Sequence, residues 1–294
     1  MAKVPHELAR SEFIALVGGL VAVLVVGDGL LIAALAGGGS AGDGAGSDDA
    51  PTYASRAIGP YDSHDFPSAR SGSGTGSSAG VIDEDTVAAL PWNLRLVNRD
   101  WRLVEDFAPD DLAELPESRW AERGREHFVD ARVYDDLVAM LEAAEEDGVD
   151  PLVLSSYRPY AYQEDLFARR VARAEEEEGL EGDAAVEAAA FWVAPPGASE
   201  HQTGLAVDIV DAGYTELDEG QETTATQQWL MEHCAEYGFI LRYPTDKSAV
   251  TGIGYEPWHY RYVGREAAPA ITESGLCFEE WIAAGGAKDL AEDR

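Results

Sequence analysis

"SEHQTGLAVDIVD", residues 199–211, places His201 seven residues before Asp208, with Gly204 between them. The portion "LAVDIV" alternates as a strand does, so Ala206, Asp208 and Val210 share one face and Leu205, Val207 and Ile209 the other. One carboxylate therefore points from a mostly apolar strand. His201 falls in the preceding loop, where Gly204 can adopt backbone angles closed to other residues and fold the loop back over the strand. Imidazole and carboxylate can then converge on one point. Taken alone, the pair fits a simple His–Asp hydrogen bond as well as half of a metal site.

A second stretch adds a third group. "GYEPWHYRYVG", residues 254–264, puts Glu256 three before His259 at the start of an aromatic strand, with His259 and Arg261 on one face. Hydrolytic zinc usually has three His, Asp or Glu ligands and an open position for water, whereas structural zinc is closed by four, often with cysteine. His201, Asp208 and His259 fit the open type. Glu256 is then an unliganded carboxylate beside the water, able to take its proton and deliver it to a leaving amine. The helical pattern of two histidines four apart with a glutamate between is absent. His6, His127 and His233 have weaker claims, and His64 sits in a Gly/Ser-rich run.

The third stretch is "SSYRPYAYQEDLF", residues 155–167. Arg158 follows a strand directly and precedes a proline, which places a guanidinium at a loop edge, where it can clamp a carboxylate or stabilise an oxyanion. An ordinary surface arginine paired with one of the many acids fits the same position. Gln163 can be a helix-surface residue, and Ser155, Ser156 and Ser199 can be caps or turn formers.

Together the three stretches resemble the VanY-type D-alanyl-D-alanine carboxypeptidases, bacterial zinc peptidases grouped with lysostaphin-like enzymes and the hedgehog amino-terminal domain. The family pattern is an "SxYR…Q" element, then "SxHxxGxAxD", then "ExWHxRYVG". Here these are Ser155, Tyr157 and Arg158 with Gln163; Ser199 and His201 through Asp208; and Glu256, Trp258 and His259 through Gly264. The resemblance runs from about residue 90 to 264 with the motifs in family order, and no motif position departs from it. It implies one zinc on His201, Asp208 and His259, Glu256 as catalytic base, and Arg158 near the substrate carbonyl or carboxylate. Gln163, Ser199, Ser156 and Tyr157 are the further substrate-binding candidates. The implied reaction removes the terminal D-alanine from peptidoglycan stem peptides. An endopeptidase or L,D-carboxypeptidase of the same fold, or a non-catalytic zinc-braced wall-binding module, are the alternatives.

Around the motifs the chain reads as α+β, with a small, mainly antiparallel sheet flanked by helices, hedgehog/DD-peptidase-like in the light of the resemblance. Helical spacing in "ARVYDDLVAMLEAAEEDG" ends at Gly148, and "YQEDLFARRVARAEEE", "DAAVEAAAFWV" and "TATQQWLMEHCAEYG" also read as helices. "LVLSS", "FILRY" and "WHYRYV" read as strands. The segment from Pro91 to Leu115 has no clear period and reads as irregular chain over a core.

The 294 residues carry 55 acidic and 21 basic side chains, a formal charge of -34, which argues against a nucleic-acid partner. Cys234 and Cys277 match no metal knuckle, and they fit either one bridge or two buried thiols. Residues 13–36 contain one charge, Asp28, and as a helix would reach roughly 36 Å, enough for a ~30 Å hydrocarbon core. They are expected to form a transmembrane anchor, with residues 1–12 cytoplasmic, 37–80 a flexible Gly/Ser/Asp-rich linker and 81–294 an extracellular catalytic domain. A secretory signal cleaved after "ALA" at 34–36 is the alternative.

Overall fold

The computed structural model describes residues 82–292, apart from 117, 118, 122 and 123, together with residues 21–26 and 29–34. The chain divides into two units, Met1–Asp65 and Phe66–Arg294. In the first, β1 (Val21–Val26) pairs antiparallel with β2 (Gly29–Ala34), from Val21 opposite Ala34 to Val26 opposite Gly29. A single helix over 13–36 was the expectation; the described parts are strands instead. The sequence accounts for this locally, because Gly27-Asp28-Gly29 interrupts two runs rich in valine, leucine and isoleucine, a composition that favours a hairpin. Among the described residues no helix is long and apolar enough to cross a membrane. The expected cytoplasmic segment 1–12 and linker 37–80 lie outside the described residues.

In the second unit, α1 (Glu84–Ala89) is followed by a short hairpin of β3 (Leu112–Glu114) and β4 (Phe128–Asp130), then by α2 (Tyr134–Glu146). β5 (Pro151–Ser155), α3 (Tyr160–Glu177), α4 (Asp183–Trp192) and β6 (Ala206–Asp211) lead into α5 (Ala225–His233). β7 (Phe239–Leu241), α6 (Ser248–Thr251) and β8 (His259–Tyr262) precede three short helices, α7 (Ala267–Ser274), α8 (Phe278–Ala283) and α9 (Gly286–Glu292). One sheet, ordered β5-β6-β8-β7 and antiparallel throughout, carries the motifs. This is the α+β architecture expected from the sequence.

Alternation along β6 sorts its side chains. Val207 and Ile209 face the main core, where Leu137, Met140 and Leu141 of α2 meet Val153, Leu230, Phe239 and Tyr260. Each fully buried aliphatic or aromatic side chain contributes about 1.5–3 kcal/mol, so this face fixes the strand's register. A one-residue slip would turn Asp208 into the core. The expected helix over 224–238 divides: α5 stops at His233, and a 3₁₀ turn at Cys234–Tyr237 ends at Gly238, whose φ is +85°. Cys234 and Cys277 are buried free thiols, not a bridge. Burial pushes the Cys234 thiol up to about 12, so it stays protonated and packs as a small apolar group.

A second cluster explains the aperiodic segment after Pro91. Leu94 and Leu96 pack with Ile240, Val263, Ala267, Ile271, Phe278, Trp281 and Ile282, so the irregular chain is held by α7 and α8. A third cluster joins α3 to α4 through Phe167, Val171, Ala174, Ala185 and Ala189. The small alanines let this helical hairpin close up.

Candidate metal centre

β6 and β8 pair so that Asp208 stands opposite His259 and Ala206 opposite Arg261. His201 comes from a 3₁₀ turn at Glu200–Thr203, which Gly204 ends in the left-handed region at φ +69°. A Cβ on Gly204 would lie 2.7 Å from the backbone nitrogen of Asp130, so the site is closed to larger residues for two reasons. The turn brings His201 onto the sheet face carrying Asp208. Ligating atoms of His201, Asp208 and His259 then lie within 4.8 Å of one another, and all three residues are buried.

The atoms can be assigned. His201 Nδ1 lies 2.7 Å from the Ser156 carbonyl oxygen, which only accepts, so Nδ1 carries the proton and Nε2 is left with its lone pair. That Nε2 has no hydrogen-bond partner among the described residues, yet sits 3.3 Å from Asp208 Oδ1. His259 Nδ1 lies 3.1 Å from the same Oδ1. Tetrahedral zinc with bonds of ~2.0–2.2 Å needs its ligands at roughly this spacing. A lone pair and a carboxylate oxygen converging in a buried pocket fit a cation.

The electrostatics agree. Burial, helped by the nearby Arg158 cation, lowers His201 to about 4, so its imidazole is neutral at ordinary pH. Against the effect of burial, the neighbouring His201 and His259 hold Asp208 well below the usual carboxylate range. His259 is raised to about 9 against the effect of burial, chiefly by Asp208 and Glu200. Glu256, outside the triangle but 3.7 Å from His259 Nδ1, is pushed up to about 8 by burial, with Asp208 adding to the shift. A carboxyl group beside the metal triangle is placed to exchange a proton with a water held there.

These groups open onto a cavity of about 850 Å³. Arg158, Gln163 and Ser199 line it with the triangle and Glu256, while Tyr243, Ile253 and Trp258 supply apolar wall. The Nε of Arg158 is buried without a partner among the described residues. Gln163 is tied to the Ala194 carbonyl through Nε2 at 2.7 Å, and its Oε1 is buried and unpartnered. Ser156 and Tyr157 do not line the cavity. Ser156 instead braces it: its carbonyl holds His201 and its hydroxyl accepts from Phe128 N at 3.1 Å. Tyr157 N donates to Phe128 O at 2.8 Å, pinning the Arg158 loop to β4. His127, a weaker candidate, is buried with Nδ1 3.2 Å from Ser156 Oγ, and His233 pairs on the surface with Glu236.

Sequence reasoning passed over a charged cluster behind the centre. Glu200 accepts from Arg242 Nε at 2.9 Å and Arg261 Nη1 at 2.7 Å, and Arg242 also grips Glu279 at 2.9 and 2.6 Å. The two arginines and Glu200 are fully buried. Removing one member of such a network typically costs about 3–5 kcal/mol, because the other charges stay buried. The available signal was Arg261 on the His259 face, with an acid directly preceding His201.

A buried His–Asp–His triangle on an antiparallel sheet, with a free carboxylate beside it and the Arg158 guanidinium in the same cavity, defines a mononuclear metallopeptidase centre. Comparison narrows the class. The family described as "VanY: D-alanyl-D-alanine carboxypeptidase" matches residues 126–265. A D-alanyl-D-alanine carboxypeptidase of Enterococcus faecalis is 39% identical over 224 residues, 74% of this chain and 78% of that one. Among solved structures, the vancomycin resistance D,D-pentapeptidase VanY, a mutant form in complex with Zn(II), superposes with TM-score 0.56 at 39% identity, covering 65% of this chain and 99% of its own. The LdcB LD-carboxypeptidase gives 0.56 at 36% identity over 65% of this chain and 86% of its own. The chain belongs to the VanY D-alanyl-D-alanine carboxypeptidase family, as its motifs led us to expect.

Proposed function

We propose that this protein is a zinc carboxypeptidase that removes the terminal D-alanine from peptidoglycan stem peptides, with His201, Asp208 and His259 holding the metal. The observation that carries the reading is Glu256: a buried carboxylate 3.7 Å from His259 Nδ1, beside the metal triangle but not part of it. Bound there, zinc supplies Lewis acidity that activates water and polarises the scissile carbonyl. Glu256 takes the proton of the attacking water and hands it to the amine nitrogen of the departing D-alanine. Arg158 meets the negative charge of the substrate, at its terminal carboxylate or its developing oxyanion. Tyr243, Ile253 and Trp258 exclude bulk water and sharpen these charges.

Arg158 also answers a problem of the whole chain. At a net charge of -34, the protein repels an anionic peptide at long range, so a cation at the cavity must reverse the field locally. A charge-assisted contact contributes roughly 1.5–3 kcal/mol. Arg158→Gln is therefore expected to lower kcat/KM about 10- to 100-fold on a peptide ending in free D-Ala-D-Ala, and much less on its C-terminal amide. Steady-state kinetics on the two peptides check this.

Likeness to an LD-carboxypeptidase keeps a second bond in view. A panel containing the D-Ala-D-Ala pentapeptide, its amide, the L-Ala-L-Ala form and a tetrapeptide with an L,D terminal bond separates the readings by mass of the products. The proposal expects efficient release of one alanine from the first alone. Preferred cutting of the tetrapeptide would make the enzyme an L,D-carboxypeptidase, and internal cutting an endopeptidase.

The proposed substrate lies outside the cytoplasm, and the apolar composition of residues 13–36 supports export. Fractionation of the native protein is expected to place it in the membrane or the medium. Recovery only from the cytosol would contradict this.

A further inference from the structure

We propose that Glu200 is a positioning residue: it fixes His259 in the tautomer protonated on Nε2 and so presents Nδ1 to the metal. The inference rests on the zinc reading above and concerns how one ligand is aimed.

His259 has its two ring nitrogens in different surroundings. Nδ1 faces the centre, 3.1 Å from Asp208 Oδ1 and 3.7 Å from Glu256 Oε2. Nε2 faces away from it, 3.6 Å from Glu200 Oε2. Neither that nitrogen nor that oxygen has a hydrogen-bond partner among the described residues, and both are buried. A charge-assisted hydrogen bond is normally ~2.7–2.9 Å long, so an approach of under about 1 Å would close the pair.

The carboxylate is not free to turn away. Its Oε1 is gripped by Arg242 and Arg261 at 2.9 and 2.7 Å. Arg242 is held in turn by Glu279, and Arg261 by the carbonyls of Asn93, Arg95 and Tyr262. Two arginines with two glutamates form a balanced set, in which Glu200 is an anion that can only accept. If His259 carried its proton on Nδ1, a lone pair on Nε2 would face a carboxylate oxygen in a buried site, acceptor against acceptor. With the proton on Nε2, the contact becomes a hydrogen bond and Nδ1 is left bare toward Asp208. His201 is set the opposite way by a neutral group, the Ser156 carbonyl, which takes its Nδ1 proton. The two histidines therefore offer the metal different nitrogens, Nε2 from His201 and Nδ1 from His259.

Glu200→Gln tests the role with little change of shape. Its amide oxygen can stay on the arginines, which puts the amide nitrogen, a donor, opposite His259 Nε2 and favours the wrong tautomer. Glu279→Gln is the control: it takes one negative charge from the same Arg242 without touching His259. Zinc affinity of the full chain, measured by chelator competition, should weaken about 10- to 100-fold in Glu200→Gln, as is usual for loss of a metal ligand's own hydrogen-bond partner, and stay within about threefold in Glu279→Gln. In the zinc-loaded wild type, ¹⁵N NMR of the histidine rings should find His259 protonated on Nε2 and His201 on Nδ1. This reading needs no variant to fold. Equal zinc affinity in the two variants, or a His259 proton on Nδ1 in the loaded wild type, would overturn the proposal while leaving the zinc reading intact. Failure of the wild type itself to take up zinc would overturn both.

Discussion

Glu256→Gln is expected to lower kcat by about 10²- to 10⁴-fold while the chain still binds one zinc. The substitution keeps size and shape but removes the group that carries the proton from water to the leaving amine, and general acid–base assistance of that kind is worth about this factor. Zinc should stay because Glu256 stands outside the triangle formed by His201, Asp208 and His259. Steady-state kinetics and metal analysis on the same preparation check both halves. Near-normal turnover would make Glu256 a structural carboxylate, and loss of zinc would make it a ligand.

The second large effect concerns the ligands. Alanine at His201, Asp208 or His259 should abolish stoichiometric zinc binding and reduce turnover to background, since two remaining ligands do not make a hydrolytic zinc site. A full equivalent of zinc retained in any of the three would refute that ligand. The same triangle sets a pH dependence. His259 is protonated up to about 9, and the metal must displace a proton to reach Nδ1, whereas His201 at about 4 and the depressed Asp208 offer no such competition near neutrality. Raising the pH toward about 9 therefore strengthens zinc binding, and lowering it weakens binding by at least about tenfold per unit. Competition titrations between pH 8 and 6 should show that slope, with at least one proton released per zinc at pH 7. An affinity flat across this range would contradict the assignment.

Much of the centre was legible in the sequence because its geometry follows from local rules. Alternation in "LAVDIV" put Asp208 on the face opposite the core residues Val207 and Ile209, and Gly204 marked the turn that returns His201 over the strand. What alternation does not fix is the partner strand. That Asp208 stands directly opposite His259 is a matter of register between segments about fifty residues apart, and only the folded sheet shows it. Glu200 was passed over for a different reason. In a chain with 55 acidic residues, one more acid beside a histidine reads as surface, and its burial depends on Arg242 and Arg261 arriving from β8 and the turn after β7. Ser156 and Tyr157 belong to a motif that lines the cavity through Arg158 and Gln163; their own side chains are not part of that lining. The short helices α7 and α8 lie beyond the motifs and went unread, although they pack with Leu94, Leu96 and Val263 in the second cluster. Over 13–36, apolar length argued for a helix, whereas β-branched composition around a Gly-Asp-Gly break goes with strands.

The central claim, that one zinc on these three residues drives removal of a single D-alanine, is tested most directly by titrating metal-free protein with zinc and following products from a stem pentapeptide ending in D-Ala-D-Ala by mass. The account predicts no cleavage without metal, then release of one D-alanine per peptide at a rate that rises linearly and levels off at one equivalent of zinc. Cleavage by the metal-free protein, a plateau at two equivalents, or release of a dipeptide in place of the single residue would contradict it.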